Sequence, residues 1–363
     1  MLNVKKKGRF LALLLIFTLA VALLSACSSS TPASTPSSGA DTTTPSSSNA
    51  TPSSSDKANG DFVLRIGYGG SLCEAPLHMA VEKGFFEEEG LKVELIKLAP
   101  GTIFDSITAN QIDAGFSLLA SMIQPLSNGL PIKITTGLHT GCDKVLVKSD
   151  SGIKEPKDFI GKKVGVPSFT SSPIIYAKRV LADNGVNVTV QNPQVEFIVY
   201  STTDLPLALE KGAVDAIAMN DPTATIAANE YGFTVLYDSA IDEPYSEQYC
   251  CSAFVRENIA EDYPEIAAKY TRAMQKASAY VAKNQDEVTR IQVEKKWVAG
   301  DAETNARVLK TFNYIPSVQG AYDIFGIVAP QLQAVGMLDA DVDVEALRKN
   351  SFVFLEGLPE EFK

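Results

Sequence analysis

Two stretches decide the fold: Ser106–Ser117, SITANQIDAGFS, and Leu207–Pro222, LALEKGAVDAIAMNDP. Each gives the end of a helix, a short turn, then Ile/Val-Asp-Ala opening a strand. An earlier pair stands in the same order. Leu64–Tyr68 (LRIGY) is a buried strand followed by the small-residue turn Gly69–Pro76 (GGSLCEAP) and an amphipathic helix to Lys83-Gly84. Lys163–Val166 (KVGV) is followed by Pro167–Pro173 (PSFTSSP) and a helix, IIYAKRVLADNG, that stops at Asn184-Gly185. The copies are offset by about 97 and about 102 residues. Similar offsets predict two lobes on one βα plan, an α/β fold whose alternating elements imply parallel sheets buried on both faces.

The start of the chain carries an address. A cationic MLNVKKKGRF precedes a 14-residue apolar run, LALLLIFTLAVALL, too short for a membrane span and ordered like a secretory signal. Leu24-Ser25-Ala26-Cys27 then resembles the lipobox of bacterial lipoproteins. That resemblance implies a signal peptide over 1–26 and a lipid, such as palmitate, on Cys27. Residues 27–60 are the lipidated cysteine and a Ser/Thr/Pro-rich stretch that cannot build a core, hence a disordered tether spanning roughly 30 Å. Removing 1–26 deletes Lys5, Lys6, Lys7 and Arg9 and no acids, taking the net charge from −11 to −15. Such an acidic chain argues against nucleic acid as a partner.

The passages IGYGGSLCEAPLHMAVEKGFFEEEGLKVELI, GIKEPKDFIGKKVGVPSFTSS and LALEKGAVDAIAMNDP together resemble the nitrate/sulfonate/taurine-type solute-binding proteins of ABC importers, whose fold is shared with thiamine-pyrimidine proteins. The resemblance runs over essentially all of 62–355. It implies a periplasmic-binding-protein type II fold: two lobes, each a mostly parallel sheet flanked by helices, joined by two crossover segments. Carried onto this chain, the crossovers fall near Cys142–Val147 and Tyr249–Val255. Lobe 1 is then 61–142 plus 252–363 and lobe 2 is 146–248. Helices around Pro264–Ala282, Asp286–Lys296, Ala302–Thr311 and Gly320–Val335 are expected to pack on lobe 1, with Trp297 in a packing role.

Ligands of open α/β sheets sit beyond the carboxyl ends of strands. At the helix after KVGV, Ser172 is the expected N-cap and Pro173 the first helical residue, leaving Ser168, Thr170 and Ser171 to hydrogen-bond a ligand beside Phe169. Lobe 1 offers Gly70, Ser71, Leu72 and Cys73, then Gly101-Thr102 and Ser117; Tyr249 is a candidate at the return crossover. Two helix N-termini facing one cleft would suit an oxyanion. No Arg or Lys stands in these loops, Lys144 being the nearest. The acids Glu74, Asp143 and Asp221 are expected chiefly in solvated loops or at helix starts, with Asp221 the one most suited to face the cleft.

Besides Cys27 the chain has Cys73, Cys142, Cys250 and Cys251, and its two histidines are His78 and His139. Buried small hydrophobes, a disulfide from Cys142 to Cys250 or Cys251, ligand contact by Cys73, His139 or Cys250, and a metal or cofactor site all remain open. Tyr249-Cys250-Cys251 resembles, in few positions, the cysteine-rich segment of the fungal thiamine-pyrimidine synthase. No Walker loop, GxSxG elbow or dinucleotide fingerprint is present. The expectation is therefore a non-enzymatic, monomeric, lipid-anchored receptor on the outer side of the cell membrane, without cofactor. It captures a small organic solute, sulfonate or taurine-like, and hands it to a permease. The alternative is a metal- or cofactor-dependent enzyme on the same fold, related to thiamine-pyrimidine synthesis.

Overall fold

A computed structural model describes residues 62–99 and 101–358. The signal peptide, Cys27 and the tether lie outside the described residues. Ten strands, among the described residues, form two five-stranded sheets. In chain order they are β1 (Val63–Tyr68), β2 (Lys92–Lys97), β3 (Ala114–Leu118), β4 (Ile132–Thr140), β5 (Asp143–Val147), β6 (Lys163–Val166), β7 (Glu196–Val199), β8 (Ala216–Asn220), β9 (Thr234–Asp238) and β10 (Tyr249–Arg256).

The first sheet is ordered β2-β1-β3-β10-β4 and the second β7-β6-β8-β5-β9. The two orders are one pattern written twice, β1 matching β6, β3 matching β8 and β10 matching β5. The sheets are mixed rather than wholly parallel. β10 runs antiparallel to both β3 and β4, and β5 antiparallel to both β8 and β9. The reason is topological: each antiparallel strand is the one that enters its sheet from the other lobe, so no βα unit fixes its direction.

β4 belongs to the first sheet and β5 to the second, so the chain crosses at Gly141-Cys142. It returns through Ser239–Gln248 to β10. The outward crossing thus overlaps the expected Cys142–Val147 only at Cys142, Asp143–Val147 being β5, and the return precedes the expected Tyr249–Val255, which is already paired as β10. Gly141 has φ +79°, and a Cβ there would meet the Ala240 Cβ at 2.7 Å. Cys142 follows at φ +128°, a strained value for a residue with a side chain.

The C-terminal helices span Pro264–Val281, Gln285–Glu294, Ala302–Leu309 and Val318–Ala334. The first packs on Ala75–Glu82 and β4, and its Tyr270, fully buried, donates to the Gly115 carbonyl at 2.7 Å. Phe86 stacks on Tyr270; each such ring removed from water contributes about 2 kcal/mol. The Val318–Ala334 helix lies on β4 and also touches the Ser172–Asp183 helix of the second lobe, so it spans the junction. Among the described residues, no helix is long and apolar enough to cross a membrane.

Candidate functional site

Where the lobes meet lies a narrow cleft of about 410 Å³, counting its solvent-filled mouth. The first lobe contributes Ala120 and Val328, the second Asp143, Ser172 and Arg179, and the segment returning to the first sheet Gln248, Tyr249 and Cys250. Arg179 is 6% exposed. Its Nε donates to Gln331 Oε1 at 2.9 Å, its Nη2 to Gln248 Oε1, and its guanidinium lies 5.0 Å from the Tyr245 ring centre. Gln331 sits on the helix that spans the junction, so the guanidinium ties the two lobes across the cleft. Burial pulls the Arg179 pKa down from its ordinary value.

Asp143 supplies the opposite charge. Its carboxylate accepts from Ser172 Oγ and from Asn220 Nδ2 at 2.5 Å. Burial nevertheless raises its pKa to about 7. One cleft therefore holds a permanent cation beside a carboxyl that titrates near neutrality.

The helix after β6 begins one residue earlier than expected. Ser171, not Ser172, is its N-cap, and Pro173 its second residue. Ser172 is thereby turned inward, 4% exposed, onto Asp143. The outer loop remains open. Phe169 is 60% exposed, Ser168 Oγ and Thr170 Oγ1 are 3.4 Å apart, and Ser171 Oγ donates to the Ser168 carbonyl at 2.9 Å.

The matching loop of the first lobe is filled by its own side chain. The backbone N–H groups of Gly69, Gly70 and Ser71 donate to the Glu74 carboxylate at 2.6, 2.5 and 2.8 Å. Gly70 reaches this with φ +98°, and Ser71 Oγ caps the turn by accepting from Cys73 N–H at 3.3 Å. Burial raises the Glu74 pKa to about 7 against the pull of those three amides. His78 Nε2 lies 3.9 Å away, stacked 4.5 Å from Trp297 and held neutral by burial, its pKa lowered to about 3.

Glu74, Asp143 and Asp221 are all buried, which corrects the expectation of solvated loops, although Glu74 does stand at a helix start. Asp221 pairs with Lys144 at 2.9 Å and accepts from Thr225, and Lys144 also reaches Asp238, so both groups are committed inside the second lobe. Leu72 is fully buried in the core. Gly101 is exposed, Thr102 Oγ1 donates to the Ala99 carbonyl, and Ser117 is half-buried opposite Ser252 on β10. Of the sequence candidates, Tyr249, Cys250 and Asp143 line the cleft; the Tyr249 hydroxyl donates to the Ile315 carbonyl. Arg179 was hidden within IIYAKRVLADNG. The available signal was helical spacing, since Ser172, Ile175, Tyr176 and Arg179 share one face and all line the cleft.

The cysteines converge at the crossing. No disulfide joins Cys73, Cys142, Cys250 and Cys251 in this structure; Cys142 and Cys250 face each other with Sγ atoms 2.6 Å apart. Cys73 and Cys251 lie beneath them with His139. The neighbouring Cys142 and Cys251 thiols draw the Cys73 thiol well below its ordinary pKa, while burial pushes the other three up.

Two α/β lobes of one repeated strand order, joined by two chain crossings, define the two-lobed periplasmic-binding-protein fold. Residues 74–288 match the NMT1/THI5-like family, and the chain belongs to it. It is 25% identical over 231 residues to a putative aliphatic sulfonates-binding protein of Bacillus subtilis, covering 62% of this chain and 67% of that one. It is also 25% identical over 280 residues to the 4-amino-5-hydroxymethyl-2-methylpyrimidine phosphate synthase of Aspergillus parasiticus, covering 74% and 80%. Among solved structures, the aliphatic sulphonate binding protein of Escherichia coli shares the fold. It has a TM-score of 0.66 at 19% identity, over 83% of this chain and 96% of that one.

Proposed function

We propose that this chain is the extracytoplasmic solute-binding receptor of an ABC importer, anchored through a lipid on Cys27. The observation that carries the reading is the interlobe cleft in which Arg179 and Asp143 stand together. Ligand binding between lobes 61–142 plus 252–363 and 146–248 shifts an open/closed equilibrium that the permease senses. No bond need be made or broken.

Arg179 suits a sulfonate or carboxylate and Asp143 an ammonium, which favours a taurine-like zwitterion among organic anions. The open hydroxyl loop Ser168–Ser171, with Phe169, leads directly into the cleft-lining Ser172, and in this reading it closes on the bound solute. The sulfonate-binding relative from Bacillus subtilis supports the same class. The test is a thermal-shift screen of aminosulfonates, plain alkanesulfonates, aminopyrimidines and aromatic carboxylates. A ligand at a hundred times its Kd adds about 2.7 kcal/mol. Aminosulfonates are expected to raise the melting temperature, with affinity falling at least tenfold in Arg179→Ala. Asp143→Asn is expected to weaken aminosulfonates and spare plain sulfonates. Silence from all four classes would sink the reading.

A second reading has its own support in the synthase relative and the buried cysteine–histidine cluster: an enzyme on the same fold. A chemically altered ligand after incubation would favour it, and intact release would favour the receptor.

A further inference from the structure

Beneath the cleft, β4 and β10 run side by side, and Cys251 is paired with His139 in their register. Cys73 joins them from the turn after β1. The two Sγ atoms and an imidazole nitrogen lie within 4.8 Å of one another, on residues 3%, 1% and 0% exposed.

The imidazole is set like a ligand. Its Nδ1 lies 2.9 Å from the Thr140 carbonyl, which places the proton there and leaves the Nε2 lone pair free. Nε2 is buried and has no hydrogen-bond partner among the described residues. An acceptor left unmet in the interior is destabilising. Nor can the ring swing out to water, because Phe312 stacks on it at 5.2 Å and Tyr314 leans on it at 5.2 Å. Two thiols and one imidazole are donors for borderline and soft ions, not for Mg²⁺ or Ca²⁺. In a tetrahedral site with metal–sulfur bonds near 2.3 Å, donor atoms stand roughly 3.5–3.8 Å apart, a small contraction from the observed spread.

We propose that Cys73, His139 and Cys251 form a binding site for a thiophilic d¹⁰ metal ion, with zinc(II) as the probe. Binding releases the two thiol protons to water, and the two thiolates neutralise the dication. Cys142, Cys250 and the shared Cys251 make a second cluster nearer the cleft, its two outer members facing across the chain crossing. An ion in the deeper triad would tie the turn after β1 to the two strands at the hinge.

The test loads the full chain, reduced and stripped of metal, with zinc(II) against a competing chelator. One tightly held equivalent is expected, with affinity at least tenfold weaker in Cys73→Ser, Cys251→Ser and His139→Gln and within about twofold of wild type in Cys250→Ser. Loss in Cys250→Ser with retention in His139→Gln would overturn the assignment in favour of the outer cluster. Should a triad variant fail to fold, cobalt(II) bound to the unaltered protein decides. Thiolate-to-cobalt charge-transfer absorption at one equivalent supports the site, and its absence rejects it. None of these readouts uses the transported solute, so they stand or fall separately from the receptor reading.

Discussion

The turn after β1 and the turn after β6 occupy the same slot of a duplicated plan, yet they are finished in opposite ways. In the first, Glu74 folds back and takes the amides of Gly69, Gly70 and Ser71 for itself. In the second, Ser168–Ser171 stay open and only Ser172 turns inward, to a carboxyl supplied by the crossing strand. Both turns therefore end on a buried carboxyl with a pKa of about 7, one local and one borrowed. A helix start offers unpaired N–H groups to whatever acceptor is nearest. Topology sets where the donors point; one side chain three residues on decides whether a ligand can reach them. The first lobe is thus closed to an oxyanion at this point, and in the proposed receptor anion recognition falls to Arg179 on the second.

The largest effect that sharpens this contrast is the pH response of Asp143. Its folded pKa of about 7 lies above the ordinary 3.8. Between those values the native state holds a proton that the unfolded chain has lost, so this group's contribution to stability falls as pH rises through the window. Relative to Asp143→Asn, the wild type is expected to gain on the order of 2–3 kcal/mol on going from pH 8 to pH 5, read by urea unfolding. A gap that does not change with pH would mean that Ser172 and Asn220 hold the carboxylate ionised. Glu74 is a poorer probe, because neighbouring His78, with its pKa lowered to about 3, contributes with the opposite sign over much of the same range.

Glu74→Ala comes next. It strands three N–H groups, two of them on glycines with access to water, at a cost of about 2 kcal/mol. The emptied turn becomes a vacant anion site. Millimolar sulfate is expected to restore part of the lost stability in this variant and to do little for the wild type. Equal response of both proteins to sulfate would break the filled-versus-open comparison.

Much of this architecture was legible in the sequence, because repetition is a stronger signal than any one segment. The paired Ile/Val-Asp-Ala openings and the two strand–turn–helix passages imply two lobes by themselves. What stayed hidden depends on contacts distant in sequence. The antiparallel β5 and β10 carry no local mark of their direction. Arg179 lies inside a helix that reads as amphipathic, and only its spacing from Ser172 places it at the cleft. Glu74 looks like an ordinary acid at a helix start, since nothing local says that its carboxylate curls back onto its own turn. Convergence of Cys73, His139 and Cys251 needed the β4–β10 register, which pairs residues more than a hundred positions apart.

The smallest expected effect tests the open turn itself. Ser168 and Thr170 Oγ atoms touch each other and no other side chain at hydrogen-bond distance among the described residues. Replacing both with alanine is expected to change stability by less than about 0.5 kcal/mol, as for surface sites free of caps and buried partners. The same double variant is expected to weaken solute binding several-fold by isothermal titration, because a neutral hydroxyl contact contributes about 1 kcal/mol. Stability lost without any change in affinity would assign these hydroxyls to the turn, as in the first lobe, and leave recognition to Arg179 and Asp143 alone. Affinity lost at constant stability would mean that the duplicated plan keeps one helix start for its own structure and spends the other on the ligand.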